Sequence, residues 1–254
     1  MKRNTLKSIG AFVTVLFFCC NLAMAQDTLY IFRGGVVVDK QAVSEIDSIT
    51  FYKNNTGIRT TVADLDGNIY QTVKIGTQTW MSENLKTTKY RNGDAIGSEN
   101  ALAYNNQSVA TYGLLYSWYT VSDSRNIAPV GWHVATDAEW LTLQDYVTAH
   151  AGSSNTLAKA LAAKTNWVTS PNINAVGNNL SINNSSGFSA LPGGYSDGNG
   201  GFYVIDNYGY WWTATQYDNS TAWRWGMGCN ISNVGRNELD KNYCFSVRCV
   251  KDTE

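Results

Sequence analysis

The 254-residue chain is 44% hydrophobic and only 15% charged, with a net charge of −1. That balance excludes extended disorder, and the want of any basic block removes the electrostatic footprint of a nucleic-acid binder. Nine Trp and fifteen Tyr, against three Pro and 22 Gly, predict an aromatic core or binding face whose loops are shaped by Gly, Asn and Asp.

Residues 1–25 read as an export signal. Lys2, Arg3 and Lys7 form a positive start, Ile9 to Cys20 an apolar run too short to span a bilayer, and Ala23-Met24-Ala25 a small-x-small cleavage site. Phe17-Phe18 is too bulky for a good lipobox before Cys19, so a lipid anchor is the lesser reading. The expected product is exported, secreted or held at the cell surface, with no membrane span once the signal is removed. It keeps Cys229, Cys244 and Cys249. On one continuous strand Cys244 and Cys249 face opposite sides, so the available bridge is Cys229 with Cys244 or Cys249. The other reading is three buried thiols acting as small hydrophobes.

Residues 26–56 read as a small β segment and linker. Leu29–Phe32, Val36–Val38 and Ile49–Tyr52 are strand-like, Gly34-Gly35 is a turn, and Lys53–Gly57 is polar linker. So short a segment cannot bury a core alone and suits an adapter or tether. The main domain, residues 57–254, opens with a calcium-like Asp64-x-Asp66-Gly67-Asn68. The acidic ligand that an EF-hand loop needs further on is missing, and Asp66-Gly67 predicts a hairpin turn instead. Gln71–Gly76 and Gln78–Met81 predict a second hairpin about Gly76-Thr77. Residues 82–131 read as irregular apart from Leu114–Tyr119, a short strand or a helical turn.

A helix begins after Thr136, an N-cap with Glu139 three residues on to complete a capping box. Trp140, Leu143, Tyr146 and Val147 form its predicted buried stripe. Thr156 opens a second short helix over Leu157–Ala162. From residue 166 short strands alternate with Asn/Gly/Ser connectors, including Tyr210–Thr215, Ala222–Trp225 and Phe245–Val250. Two short helices and a loop-rich antiparallel sheet, preceded by a small β segment, define an α+β fold.

Five stretches carry a family resemblance: Asp66–Leu85, Gly131–Trp140 (GWHVATDAEW), Gly187–Tyr195, Tyr208–Thr215 and Phe245–Asp252. Over residues 60–252 the chain resembles the Fibrobacter succinogenes major paralogous domain, common in exported proteins of Bacteroidetes and Fibrobacteres. The resemblance implies a C-type-lectin-like fold, distantly similar to formylglycine-generating enzymes and to retroelement-diversified variable proteins. Many relatives place a Cys before the GWH block that could bridge to the C-terminal Cys. Here Asn126–Pro129 stands instead, which leaves Cys249 without that partner.

Catalytic patterns are thin. His133 and His150 are the only histidines, too few for a zinc site with these cysteine spacings, and His133 reads as a hydrogen-bonded structural residue. Ser246 and Cys244 lack the surroundings of a nucleophile. Cys244 and Cys249 are the nearest approach to the copper-holding pair of formylglycine-generating enzymes, but they face apart. The carboxylate pairs Asp137/Glu139 and Asp197/Asp218 are explained by helix capping and turns. No cofactor is expected, a structural calcium near Asp197 or Asp218 being the residual option.

The binding reading rests on residues 216–242. It places Tyr217 and Asp218 in one polar loop and Asn230, Asn233, Arg236 and Asn237 in another. On the strand between, Trp223, Trp225 and Met227 face the core and Arg224 is exposed. The competing reading is that these Asn, Gly and Ser residues only shape turns. The expected function is a non-catalytic recognition module for an extracellular glycan or protein. The alternatives are an assembly subunit of a surface complex or fibre, and an extracellular enzyme on polysaccharide or protein.

Overall fold

The computed structural model describes residues 28–33, 36–42, 60–104, 109–151 and 156–253. The chain forms two units, residues 1–55 and 56–254. In the first, β1 (Thr28–Arg33) pairs antiparallel with β2 (Val36–Ala42), with an irregularity between Ile31 and Phe32. The export segment, the third strand at 49–52 and the linker at 53–57 lie outside the described residues.

The second unit is α+β and holds two sheets. The smaller begins with β3 (Thr61–Ala63), β4 (Ile69–Ile75) and β5 (Gln78–Met81). Both predicted hairpins are present. Asp64 Oδ1 accepts the backbone N–H groups of Asp66 and Asn68, and Gly67 supplies the positive φ that closes the turn. After this come β6 (Ala101–Leu102), α1 (Val109–Tyr112), β7 (Leu115–Ser117), α2 (Trp118–Val121) and β8 (Trp132–Val134). Leu114–Tyr119 is thus both of its predicted forms, a strand running straight into a helical turn.

Helix α3 (Asp137–His150) carries the predicted capping box, with Thr136 Oγ1 accepting from Glu139 N–H and Glu139 Oε2 accepting from Thr136 N–H. Such a cap is worth about 1 kcal/mol. Trp140, Leu143 and Val147 are buried as expected, but Tyr146 is exposed. It lies at the edge of the stripe, where its ring covers Gly76 and stacks on His150. Helix α4 (Leu157–Leu161) follows, capped by Thr156. The remaining strands are β9 (Tyr195–Ser196), β10 (Phe202–Tyr203), β11 (Tyr208–Gln216), β12 (Thr221–Gly228), β13 (Gly235–Asp240), β14 (Cys244–Val247) and β15 (Cys249–Lys251).

The larger sheet runs β10-β9-β14-β11-β12-β13, with β7 against β14 and β6 against β7. The smaller runs β3-β4-β5-β15-β8. Pairing is antiparallel except between β11 and β14. The C-terminal chain crosses from one sheet to the other at Arg248, the residue between β14 and β15.

Alternation along β11 sends neighbouring tryptophans to opposite sides. Trp211 enters one core with Trp80, Trp140, Phe188 and Trp225, and Trp212 enters the other with Phe245, Tyr116 and Trp118. Trp140 sits at the centre of the first core, its ring 5.3 Å from Trp80 and 5.6 Å from Trp225.

The expected disulfide is not made. Cys229 packs into the first core and Cys249 into the second, and Cys244 is a third buried free thiol; it and Cys249 do not share one continuous strand but lie on β14 and β15, in different sheets. Burial raises the pKa of all three, that of Cys244 to about 12, so they behave as inert apolar groups.

Candidate functional site

The predicted binding residues do not form one surface. Cross-strand register divides them between the two faces of the β11–β12–β13 ladder, because Trp225 pairs with Arg236 while Arg224 pairs with Asn237.

Tyr217 and Arg236 meet on the first-core side, both against Trp223. Arg236 is held by Asp137 in the first turn of α3, its Nη2 2.7 Å from Oδ2 and its Nε 2.8 Å from Oδ1. The same Oδ1 accepts the Trp225 indole N–H at 3.0 Å. Trp223 lies under the Arg236 guanidinium at 3.5 Å and against the exposed Tyr217 ring at 4.9 Å. Arg236 is therefore a strut between sheet and helix, not a displayed cation. Asp218 caps its own turn by accepting from the N–H groups of Ser220 and Thr221, which hold its pKa down to about 2. The buried Lys241 ammonium locks the loop from below, donating to the carbonyls of Asp218 and Asn219, both at 2.8 Å.

Arg224 and Asn237 belong to the opposite face. The expectation that Arg224 is exposed is corrected: it is half-buried and lies 4.8 Å above the Tyr210 ring. Gly226 makes this possible, since a Cβ there would fall 2.9 Å from Arg224 Nη1 and 2.6 Å from Tyr210 Cδ1. Asn230 and Asn233 occupy the exposed connection between β12 and β13. Among the described residues the left-handed asparagines are Asn126, Asn166, Asn174, Asn179 and Asn184, and none of Asn230, Asn233 or Asn237 is among them. Backbone strain thus gives no reason for asparagine at those three positions.

Sequence reasoning missed the aromatic layer around Arg224. Where the cover of the second core stops, tyrosines continue outward across the sheet. Tyr210 packs edge-on to Tyr195 at 5.6 Å and runs parallel to Tyr208 at 6.0 Å. Tyr195 in turn contacts Tyr203 at 5.1 Å and Tyr243 at 5.9 Å. Tyr203 is exposed and the others are half-buried. The signal for this shelf was Tyr208-x-Tyr210 on one strand and Gly226-x-Gly228 on the next. Those pairs stand directly opposite, Tyr208 to Gly228 and Tyr210 to Gly226.

The ionisable groups that sequence reasoning weighed for catalysis hold the frame. His133 bridges Glu139 at 2.7 Å and Asp252 at 2.6 Å. The bond to Glu139, assisted by Asp252 and opposed by burial, raises the His133 pKa to about 9. Asp197 Oδ1 accepts the N–H groups of Asn199 and Gly201, and its Oδ2 accepts the Tyr203 hydroxyl. Both aspartates weighed for calcium thus serve as turn caps, and among the described residues no three His, Cys, Asp or Glu side chains cluster as metal ligands. The best-formed depressions lie away from the shelf. One is lined by Asp64, Thr87, Arg91 and Pro129, the other by Gln71, Glu83, Lys164 and Ser189.

Fold and site together define an α+β domain of two sheets linked through one C-terminal crossing, with a tyrosine-rich open face. Residues 73–251 match the model of the Fibrobacter succinogenes major domain, and the chain belongs to that family. No curated protein and no solved structure matches it. Among the described residues no helix is long and apolar enough to cross a membrane.

Proposed function

We propose that this chain is an exported, non-catalytic recognition module with a C-type-lectin-like fold, binding an extracellular glycan or protein. The observation that carries the reading is the tyrosine shelf. Tyrosine offers broad amphipathic contact at low entropic cost, and here the rings stand on a sheet whose register fixes them. The fold assignment is supported by the order of hairpins, then α3 and α4, then a loop-rich sheet, with the one-turn α1 and α2 between, and by the C-terminal β15 closing onto β5 of the first hairpins. The non-catalytic reading is supported by His133, Asp137 and Glu139, whose bonding capacity is taken up between elements of the frame. The export reading rests on residues 1–25. The binding surface moves from Asp218 in its loop and Arg236 on β13, both engaged internally, to the sheet face that carries Arg224.

The test is binding of the purified domain to a printed glycan array and to intact bacterial cells, beside a Tyr203→Ala/Tyr208→Ala variant. Loss of binding with an unchanged unfolding midpoint supports the reading. Full binding by the variant, or none by either protein, removes it. An assembly role is favoured by one separate observation, that residues 1–55 form a unit of their own with the β1–β2 hairpin. A surface partner lost on deleting residues 28–53 supports that second reading.

A further inference from the structure

Arg224 is the cation of the tyrosine shelf, and the fold does not account for its state. Arg91, Arg125, Arg236 and Arg248 each donate to carbonyl or carboxylate oxygens. Among the described residues no acceptor bonds any N–H of Arg224, and its Nε is buried without a partner. Burial lowers its pKa, against the pull of Tyr210 and Glu238. A desolvated cation without an acceptor is costly to keep. Cross-strand pairing of tyrosine with glycine explains how the rings sit, since Gly226 and Gly228 leave room for them. It does not explain why the position between Trp223 and Trp225 is a charged residue.

The hydroxyls nearby also lack a partner among the described residues, though unlike Arg224 Nε they are not buried. Tyr195, Tyr210 and Tyr243 have no hydrogen-bond partner among the described residues, and none of their oxygens is buried. Each can donate or accept. The shelf therefore presents apolar ring bodies, three free phenol groups and one guanidinium without an acceptor, and none of its residues lines the two depressions described above.

Resting on the recognition reading above, we infer that the shelf binds an acidic saccharide, its carboxylate at Arg224 and its hydroxyls among the phenols of Tyr195, Tyr210 and Tyr243. A sugar acid carries an oxygen on almost every ring carbon, which matches so dense a set of unpartnered groups. A protein ligand brings acceptors sparsely and gains most of its affinity by seating a few anchor side chains in pockets, and no shelf residue lines either depression described above. A carboxylate also suits the planar guanidinium, whose charge-assisted bonds are roughly twice as strong as neutral ones.

The experiment titrates the full chain with matched oligosaccharides by calorimetry: galacturonic-acid against galactose oligomers, and sialylated against desialylated glycans. Oligoglutamate serves as the peptide arm. At least one acidic saccharide is expected to bind about tenfold or more tightly than its neutral match, and Arg224→Gln to erase that gap. Arg125→Gln, exposed and paired with Asp123, is expected to leave the gap unchanged. Tyr210→Phe, which keeps the ring and removes the hydroxyl, is expected to weaken acidic binding several-fold, and it serves as the test if Arg224→Gln does not fold. Equal binding of acidic and neutral sugars overturns the inference while leaving the recognition reading standing. Binding of oligoglutamate through Arg224 in place of any sugar overturns it in favour of a peptide ligand. No binding in any arm overturns it and counts against the recognition reading as well.

Discussion

Arg248 donates its Nε–H to Asn84 Oδ1 at 2.7 Å, and the Trp211 indole N–H reaches the same oxygen at 2.9 Å. Asn84 turns its amide nitrogen to Tyr112 O at 2.8 Å and to Ser246 Oγ at 3.2 Å. The other guanidinium N–H groups go to the carbonyls of Met81, Phe188 and Ser189. Four of the five stretches that carry the family resemblance thus meet at one amide and one cation. The fifth joins through Ala135, whose N–H donates to the Arg248 carbonyl at 3.1 Å. Removing the guanidinium strands several buried acceptors at once. Arg248→Ala is expected to cost about 3–5 kcal/mol, or to prevent folding. Arg248→Lys should recover only part, because an ammonium lacks the planar fork. Denaturant unfolding measures both, and a loss below about 1 kcal/mol for Arg248→Ala would show that the hub is not structural.

The Asp137–Arg236 pair makes a second, separable claim. Asp137 is nearly buried but a third of the Arg236 side chain is exposed, so solvent screens the attraction. A double-mutant cycle with Asp137→Asn and Arg236→Gln is expected to give a coupling of about 1 kcal/mol. Additivity of the two single changes would mean that the strut is idle and would return Arg236 to the pool of displayed residues.

His133 gives the domain a pH dependence of known sign. Its folded pKa of about 9 lies above the ordinary value of 6.5, so the protonated form is the one that folding favours. The stabilisation is fully present below pH 6.5 and is lost as pH rises through 9. The melting temperature of the wild type should exceed that of His133→Gln by a margin that is constant at mildly acidic pH and shrinks between pH 6.5 and 9. A margin that grows with pH across that window contradicts the bridge.

What was legible in the sequence was local. The Thr136–Glu139 capping box spans four residues, the Asp66-Gly67 turn spans two, and each identifies itself by residue type alone. The two helices and the α+β class follow from such signals. Buried charges were not legible. Arg248 sits inside the apolar run Phe245–Val250, and only its partners, 59 to 167 positions away, show why it is buried. Lys159 in α4 and Lys241 after β13 are two more: each is buried with its ammonium on backbone carbonyls. The candidate site failed for a related reason. Arg224 and Arg236 look equivalent along the chain, yet the register that pairs Arg236 with Trp225 sends them to opposite faces and gives one of them a carboxylate. The tyrosine shelf collects side chains from β9, β10, β11 and the turn before β14, and no window of sequence contains them.

The glycines beneath that shelf supply the last test. Neither Gly226 nor Gly228 has a positive φ, so alanine at either position is acceptable to the backbone and its effect is steric. A methyl at Gly226 would meet Tyr210 Cδ1 at 2.6 Å, and one at Gly228 would meet Tyr208 Cε1 at 2.5 Å. Both rings must move or the strands must part. Each substitution is expected to cost about 1–3 kcal/mol as overpacking and to displace the ring that it touches. Gly67→Ala is the control: its φ of +81° makes alanine strained, but no atom lies within 4 Å. It should lower stability by about 1 kcal/mol through the backbone and leave the shelf alone. The readouts are unfolding midpoints together with the aromatic resonances of Tyr208 and Tyr210. If Gly226→Ala and Gly228→Ala shift those resonances no more than Gly67→Ala does, the rings are not held by the glycines and the shelf is not the rigid face that recognition requires.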